Sequence, residues 1–139
     1  MKKAAIIYNS RTGTTKNYAE EIGAYLRKKE IEANVLSIKE YTEEIINEAD
    51  YLLLGCWTNG LFFFLQHPDK DWKNFAAKLP NPIQQKTALF TTYKLLTGSM
   101  FRKMSRQLNS RVNAPLTELK SRNGMLSEND TKILDHFTG

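Results

Sequence analysis

Six consecutive residues near the start of the chain, Ser10-Arg11-Thr12-Gly13-Thr14-Thr15, carry four hydroxyl side chains, one glycine and no acid. That set suits an anion. A phosphate at the start of a helix needs backbone N–H donors, hydroxyl donors and a glycine that lets the main chain come close. The segment offers all three. The competing reading is a helix cap, which Ser and Thr commonly make, but a cap uses one hydroxyl and here four fall together. Spacing excludes several phosphate loops. Gly-x-x-x-x-Gly-Lys-Ser/Thr is absent, and so is Gly-x-Gly-x-x-Gly. Phe62 stands six residues after the lone cysteine, Cys56, where a cysteine phosphatase would carry arginine. Gly55-Cys56 occupies the place where a receiver strand would end in a phospho-acceptor aspartate. Cys56 has no general base near it in sequence and reads as a small buried hydrophobe. With His67 and His136 as the two histidines, little remains to build a zinc site.

The elements that must position this loop follow from hydrophobic pattern. Short apolar, β-branched or aromatic runs occur at residues 4–8, 33–38, 51–56 and 87–93, with a further candidate at 116–120. They alternate little, as strands covered on both faces do. Helical patterns lie between them. Over 16–28, Tyr18, Ala19, Ile22, Tyr25 and Leu26 form one stripe. A weaker helix covers roughly 40–48. A third spans 69–78, entered by Pro68 and closed before Pro80. A fourth spans 99–110, with Met100, Phe101, Met104 and Leu108 on its buried stripe. The chain ends in a short helix capped by Ser127, with Asp130 in the capping-box position. Strict alternation of strand and helix implies a parallel sheet with helices on both faces. Ligands of such sheets lie beyond the carboxyl ends of the strands, so the loops after strands one, three and four are where chemistry is expected.

The stretch Ile6-Ile7-Tyr8-Asn9-Ser10-Arg11-Thr12-Gly13-Thr14-Thr15-Lys16-Asn17-Tyr18-Ala19-Glu20-Glu21-Ile22 resembles the flavodoxin signature, meeting each constrained position. The resemblance implies an αβα sandwich of three layers with a five-stranded parallel sheet in the order 2-1-3-4-5. It also implies FMN as cofactor. Ser10, Thr12, Gly13, Thr14 and Thr15 would line its 5′-phosphate, with Arg11 adding a backbone amide and charge. Strand three runs into Gly55-Cys56-Trp57-Thr58-Asn59-Gly60, similar to the family's second loop. There Trp57 is the candidate for stacking on the flavin ring, against the alternative of core packing, and Gly60 for the backbone peptide that answers protonation of flavin N5. From strand four, Thr92 and Tyr93, with Leu95 or Leu96 and Gly98, would approach the second face. This third loop departs from the family pattern: no acid occurs between Asp71 and Glu118, and Lys94 stands where a negative field is more typical. The run Leu61-Phe62-Phe63-Phe64-Leu65 reads equally as a hydrophobic plug, as a wall beside the ring or as a docking patch. His67 reads as structural and His136 as solvated.

Composition sets the outer bounds. At 139 residues, with 41% apolar and 25% charged residues, one domain over residues 1–139 is expected. A single cysteine excludes an internal disulfide framework. No apolar run is long enough to span a bilayer, and no signal peptide pattern is present, so a cytoplasmic protein is expected. The net charge of +5 is unevenly spread: +1 over residues 1–93, +6 over 94–122 and −2 over 123–139. Solvation of a helix face would account for it, but the basic segment follows the third loop directly. Two functions fit. One is an electron carrier that docks redox partner proteins, acidic ones given the charge, over the flavin edge. The other is a small FMN-dependent reductase acting on quinones or NAD(P)H, although no nicotinamide-binding motif is found. A module that has lost FMN is the third reading.

Overall fold

The computed structural model describes residues 1–58, 67–95, 97–112 and 116–139. Five parallel strands, β1 (Lys3–Asn9), β2 (Glu32–Ser37), β3 (Tyr51–Trp57), β4 (Lys86–Thr92) and β5 (Thr117–Ser121), form one sheet in the order β2-β1-β3-β4-β5. The helices between them are α1 (Thr14–Lys28), α2 (Glu43–Glu48), α3 (Lys70–Ala77), α4 (Met100–Leu108) and α5 (Glu128–Thr138). The alternating elements and the strand order are those expected from the sequence.

The central strands are buried because both of their faces are covered. Ala4 and Ile6 of β1 pack with Tyr18, Ile22 and Leu26 of α1 and Leu134 and Phe137 of α5. Ala5 and Ile7 pack on the other side, with Ile46 of α2, Trp72 and Phe75 of α3 and Met100, Met104 and Leu108 of α4. Each large apolar side chain removed from water in these layers contributes roughly 1.5–3 kcal/mol. Gly55 makes the central contact possible. A Cβ there would stand 2.0 Å from the ring of Phe90 on β4, so any other residue would push that ring out of the core.

Local chemistry sets the helix ends. Ser127 and Asp130 form the expected capping box of α5; the Tyr18 hydroxyl also donates to the Asp130 carboxylate at 2.9 Å, which pins α5 to α1. The helix runs for 11 residues, longer than the short terminal helix expected. The weak helix expected at 40–48 is shorter, because the Thr42 side chain caps it from Ile45 N and starts it at Glu43. The preceding residues form a turn in which Glu40 accepts from Ser37 N at 3.2 Å. Arg111, which follows a short 3-10 turn after α4, donates to the carbonyls of Leu79 and Ala77 at 3.2 and 3.1 Å. A cation there satisfies orphan carbonyls at the negative end of α3. No helix among the described residues is long and apolar enough to cross a membrane.

Candidate functional site

Register brings the three loops to one end of the sheet. Asn9 pairs with Cys56, and Trp57 with Thr92, so β1, β3 and β4 release their loops side by side. The first loop curls tightly: the Ser10 hydroxyl accepts from Gly13 N at 3.1 Å, and Gly13 takes φ 97°, a left-handed conformation natural to glycine. Helix α1 then starts at Thr14 with no side-chain cap and no acid in its first turn. Its first helical hydrogen bond is Asn17 N to Gly13 O, so the N–H groups of Thr14, Thr15 and Lys16 find no acceptor within the helix. A Cβ on Gly13 would meet nothing within 4 Å, so the space beside Gly13 is open. Thr12 and Arg11 are exposed and Thr14 half-buried, with the Thr12 and Thr14 hydroxyls 3.5 Å apart. Thr15 differs. It is buried, and its hydroxyl lies 2.6 Å from that of Thr92, tying the first loop to the end of β4. These donors, with no carboxylate among them, fit a phosphate monoester.

The second and third loops are stitched together below this loop. Thr58 N donates to Thr92 O at 2.9 Å, and the Thr58 and Thr91 hydroxyls are 2.8 Å apart. Cys56 lies fully within the core, so its side chain is withdrawn from any ligand, and its carbonyl accepts from the Thr91 hydroxyl. Burial pushes its thiol pKa up to about 12. Trp57 is half-buried, held at its edge by a hydrogen bond from Nε1 to Asp69 (3.1 Å) and covered by the Arg11 guanidinium 5.2 Å from its ring centroid. Tyr93 is half-buried, and the Arg122 guanidinium lies 5.6 Å from its ring centroid. Leu95 is 58% exposed, and Gly98 turns the chain with φ 49° just before α4. A cavity of about 420 Å³ brings Ser10, Arg11 and Trp57 together, and another of about 500 Å³ joins Tyr93 and Gly98. Asn59, Gly60, Leu96 and the run 61–65 lie outside the described residues.

Residues 5–136 match the family model of the flavodoxin domain. The chain belongs to that family. Solved flavodoxins share the fold. One from the Archaea is 19% identical, with a TM-score of 0.69 over 99% of both chains. Oxidised flavodoxin 1 of Bacillus cereus is 22% identical, with a TM-score of 0.68 over 98% of this chain and 95% of its own. The two-electron reduced flavodoxin of Megasphaera elsdenii is 21% identical, with a TM-score of 0.69 over 96% of each.

This flavodoxin domain also contains a residue that its sequence did not single out. Asp69 caps α3 by accepting from Trp72 N at 3.1 Å, and it accepts from Asn9 Nδ2 at 2.6 Å and from Trp57 Nε1. One carboxylate thus joins the end of β1, the end of β3 and the start of α3. The helical pattern over 69–78 takes it in as the first helical residue, whereas the structure makes it the cap, and nothing local signals partners 60 and 12 residues away. Arg111, counted with the basic segment from sequence, is engaged at the end of α3. His67 Nδ1 donates locally to Pro68 O, and His136 is exposed, in keeping with the structural and solvated roles expected.

Proposed function

We propose that this flavodoxin domain binds FMN non-covalently and passes electrons through it to redox partner proteins. The observation that carries the reading is the start of α1: a left-handed glycine with open space beside it, backbone N–H groups without a helical acceptor, neighbouring hydroxyls and no acid. Ser10, Thr12, Gly13, Thr14 and the main chain of Thr15 would hold the phosphate, with Arg11 adding charge. Trp57 with the main chain of Cys56, Thr58, Asn59 and Gly60, and Thr92, Tyr93, Leu95 and Gly98 from the third loop, would surround the ring. When bound, FMN supplies one- and two-electron chemistry; the chain's residues bind it, exclude water and set the field around it. The relative from Megasphaera elsdenii, solved in a two-electron reduced form, has the same fold. The excess of cations after the third loop favours acidic partners.

The test is direct. Purified protein mixed with FMN is expected to show the flavin's two visible absorbance bands after desalting, and Thr12→Ala to weaken retention. A protein that stays colourless with added FMN overturns the proposal. Steady turnover of NAD(P)H by the FMN-loaded protein alone would make it a reductase rather than a carrier.

A further inference from the structure

Among the described residues, some cations are paired and others are not. Lys2, Lys3 and Lys29 stand within 4.0 Å of Asp50, Glu32 and Asp135, and the Arg27 guanidinium donates to the Ala33 carbonyl at 2.7 Å. On the β5 edge, Lys94, Arg102, Arg106, Lys120 and Arg122 are all exposed, and none of them makes an ion pair among the described residues. Glu118, beside Lys120, is the one acid of residues 94–122. Arg102 and Arg106 are four residues apart on α4, a spacing at which like charges repel and disfavour the helix. Among the described residues neither of them pairs with an acid. Arg102 and Lys120 line the cavity of about 500 Å³ beside Tyr93 and Gly98, with Glu118 and Asp130 also in its wall, and the Arg122 guanidinium lies over the Tyr93 ring.

We infer that this α4–β5 face is the docking surface for an acidic protein, held by Arg102, Arg106, Lys120 and Arg122 around Tyr93. The geometry favours a protein over a nucleic acid. Arg102 and Arg106 come from α4 and Lys120 and Arg122 from the end of β5, and the acids Glu118 and Asp130 share the cavity wall with Arg102 and Lys120, where a phosphate backbone would be repelled. Carboxylates spaced across a protein surface match such an arrangement. Attraction between exposed charges accelerates encounter and is screened by salt, so the complex forms fast and dissociates readily. The inference deepens the electron-carrier reading and rests on it for its consequence, since Tyr93 belongs to the third loop of the proposed FMN site.

The first measurement needs no cofactor. Fluorescence anisotropy follows a fluorescein-labelled deca-glutamate peptide binding to the full chain at about 50 mM and about 300 mM NaCl, on either side of strong screening. Expected results are a loss of at least ~10-fold in affinity with salt, and a loss of at least ~10-fold in the double variant Arg102→Glu/Arg106→Glu. Lys28→Glu/Lys132→Glu changes net charge equally on other helices and is expected to stay within about twofold. Equal losses in both double variants would leave only net charge and overturn the inference, as would no binding to the wild type. A decathymidylate that binds more tightly than the peptide, and is released by the α4 variant, would make the face a nucleic-acid site instead. Circular dichroism confirms folding of each variant. The second measurement uses FMN-loaded protein reduced with dithionite and oxidised by ferricyanide or by tris(phenanthroline)cobalt(III), each accepting one electron. The rate ratio of anionic to cationic oxidant is expected to fall at least ~10-fold in the α4 variant; an unchanged ratio overturns the docking site. Failure to take up FMN defeats the electron-carrier reading, while the peptide titration still decides the surface.

Discussion

The loop of residues 10–15 and the basic residues between 94 and 122 present positive potential by different means. The first carries Arg11 as its one formal charge and relies on N–H groups and hydroxyls at the start of α1. Their attraction is short-ranged and directional, and it depends on a rigid frame. The second relies on full charges at the ends of long side chains. Their field reaches further but is screened over about 8 Å at physiological salt. The first arrangement suits a group held permanently in one pose, and the second a partner that arrives and leaves. In the proposed function, partial charges serve retention and formal charges serve encounter.

The largest expected effect tests the first half of this comparison. Thr14→Asp places a carboxylate in the first turn of α1, facing the phosphate. At an effective dielectric near 20, one charge about 6 Å away is worth about 3 kcal/mol, or about 100-fold in FMN affinity. Titration by quenching of FMN fluorescence measures it, and a loss under about fivefold would move the phosphate elsewhere. Next comes the frame. Asp69→Ala removes the cap of α3 and strands the donors of Asn9 and Trp57, at a cost of about 2 kcal/mol in urea unfolding. Asp69→Asn keeps a capping oxygen and loses less. Trp57 emission is expected to shift in both variants, and Trp57→Phe identifies its share of the signal; an unshifted spectrum would mean that the indole is placed by packing alone.

The third prediction concerns the reach of the formal charges. A unit charge about 8 Å from the ring contributes roughly 2 kcal/mol before screening, and cations favour the anionic reduced flavin. The potential for full reduction is therefore expected to be less negative than in acidic flavodoxins. Arg102→Glu/Lys120→Glu is expected to lower it by tens of millivolts in spectroelectrochemical titration. A potential indifferent to these changes would confine the basic face to docking. The smallest effect comes from the core beneath both regions. The Cys56 thiol has a pKa of about 12 in the fold against 9.0 as its ordinary value. The unfolded chain releases that proton first, so stability is full below pH 9 and falls above it at about 1.4 kcal/mol per pH unit until the folded thiol also ionises. Urea unfolding at pH 8 and pH 10 is expected to show this slope diminished in Cys56→Ala.

What the sequence made legible was what is written in short segments. Strand burial, the amphipathic stripe of α4, the Ser127–Asp130 capping box and the hydroxyl-rich loop all lie within windows of a few residues. The strand order came through the resemblance carried by residues 6–22. What escaped reading was contact across distance. Asn9 meets Asp69, Thr15 meets Thr92 and Tyr18 meets Asp130 only because the parallel register brings their elements together. Arg111 was counted with the surface charge because its use at the end of α3 depends on a chain reversal 32 residues long. The length of α2 was misjudged for a local reason: Thr42 competes as a cap with the helical pattern before it.

The hydroxyl pairs Thr15–Thr92 and Thr58–Thr91 have a consequence for speed. Each bridges two of the loops that would surround the flavin, at 2.6 and 2.8 Å, with the Thr15–Thr92 pair buried. Dipoles fixed in this way cannot swing to follow a change of charge, so little of the surroundings must rearrange when an electron arrives or departs. In the proposed carrier, that keeps the reorganisation energy of transfer low.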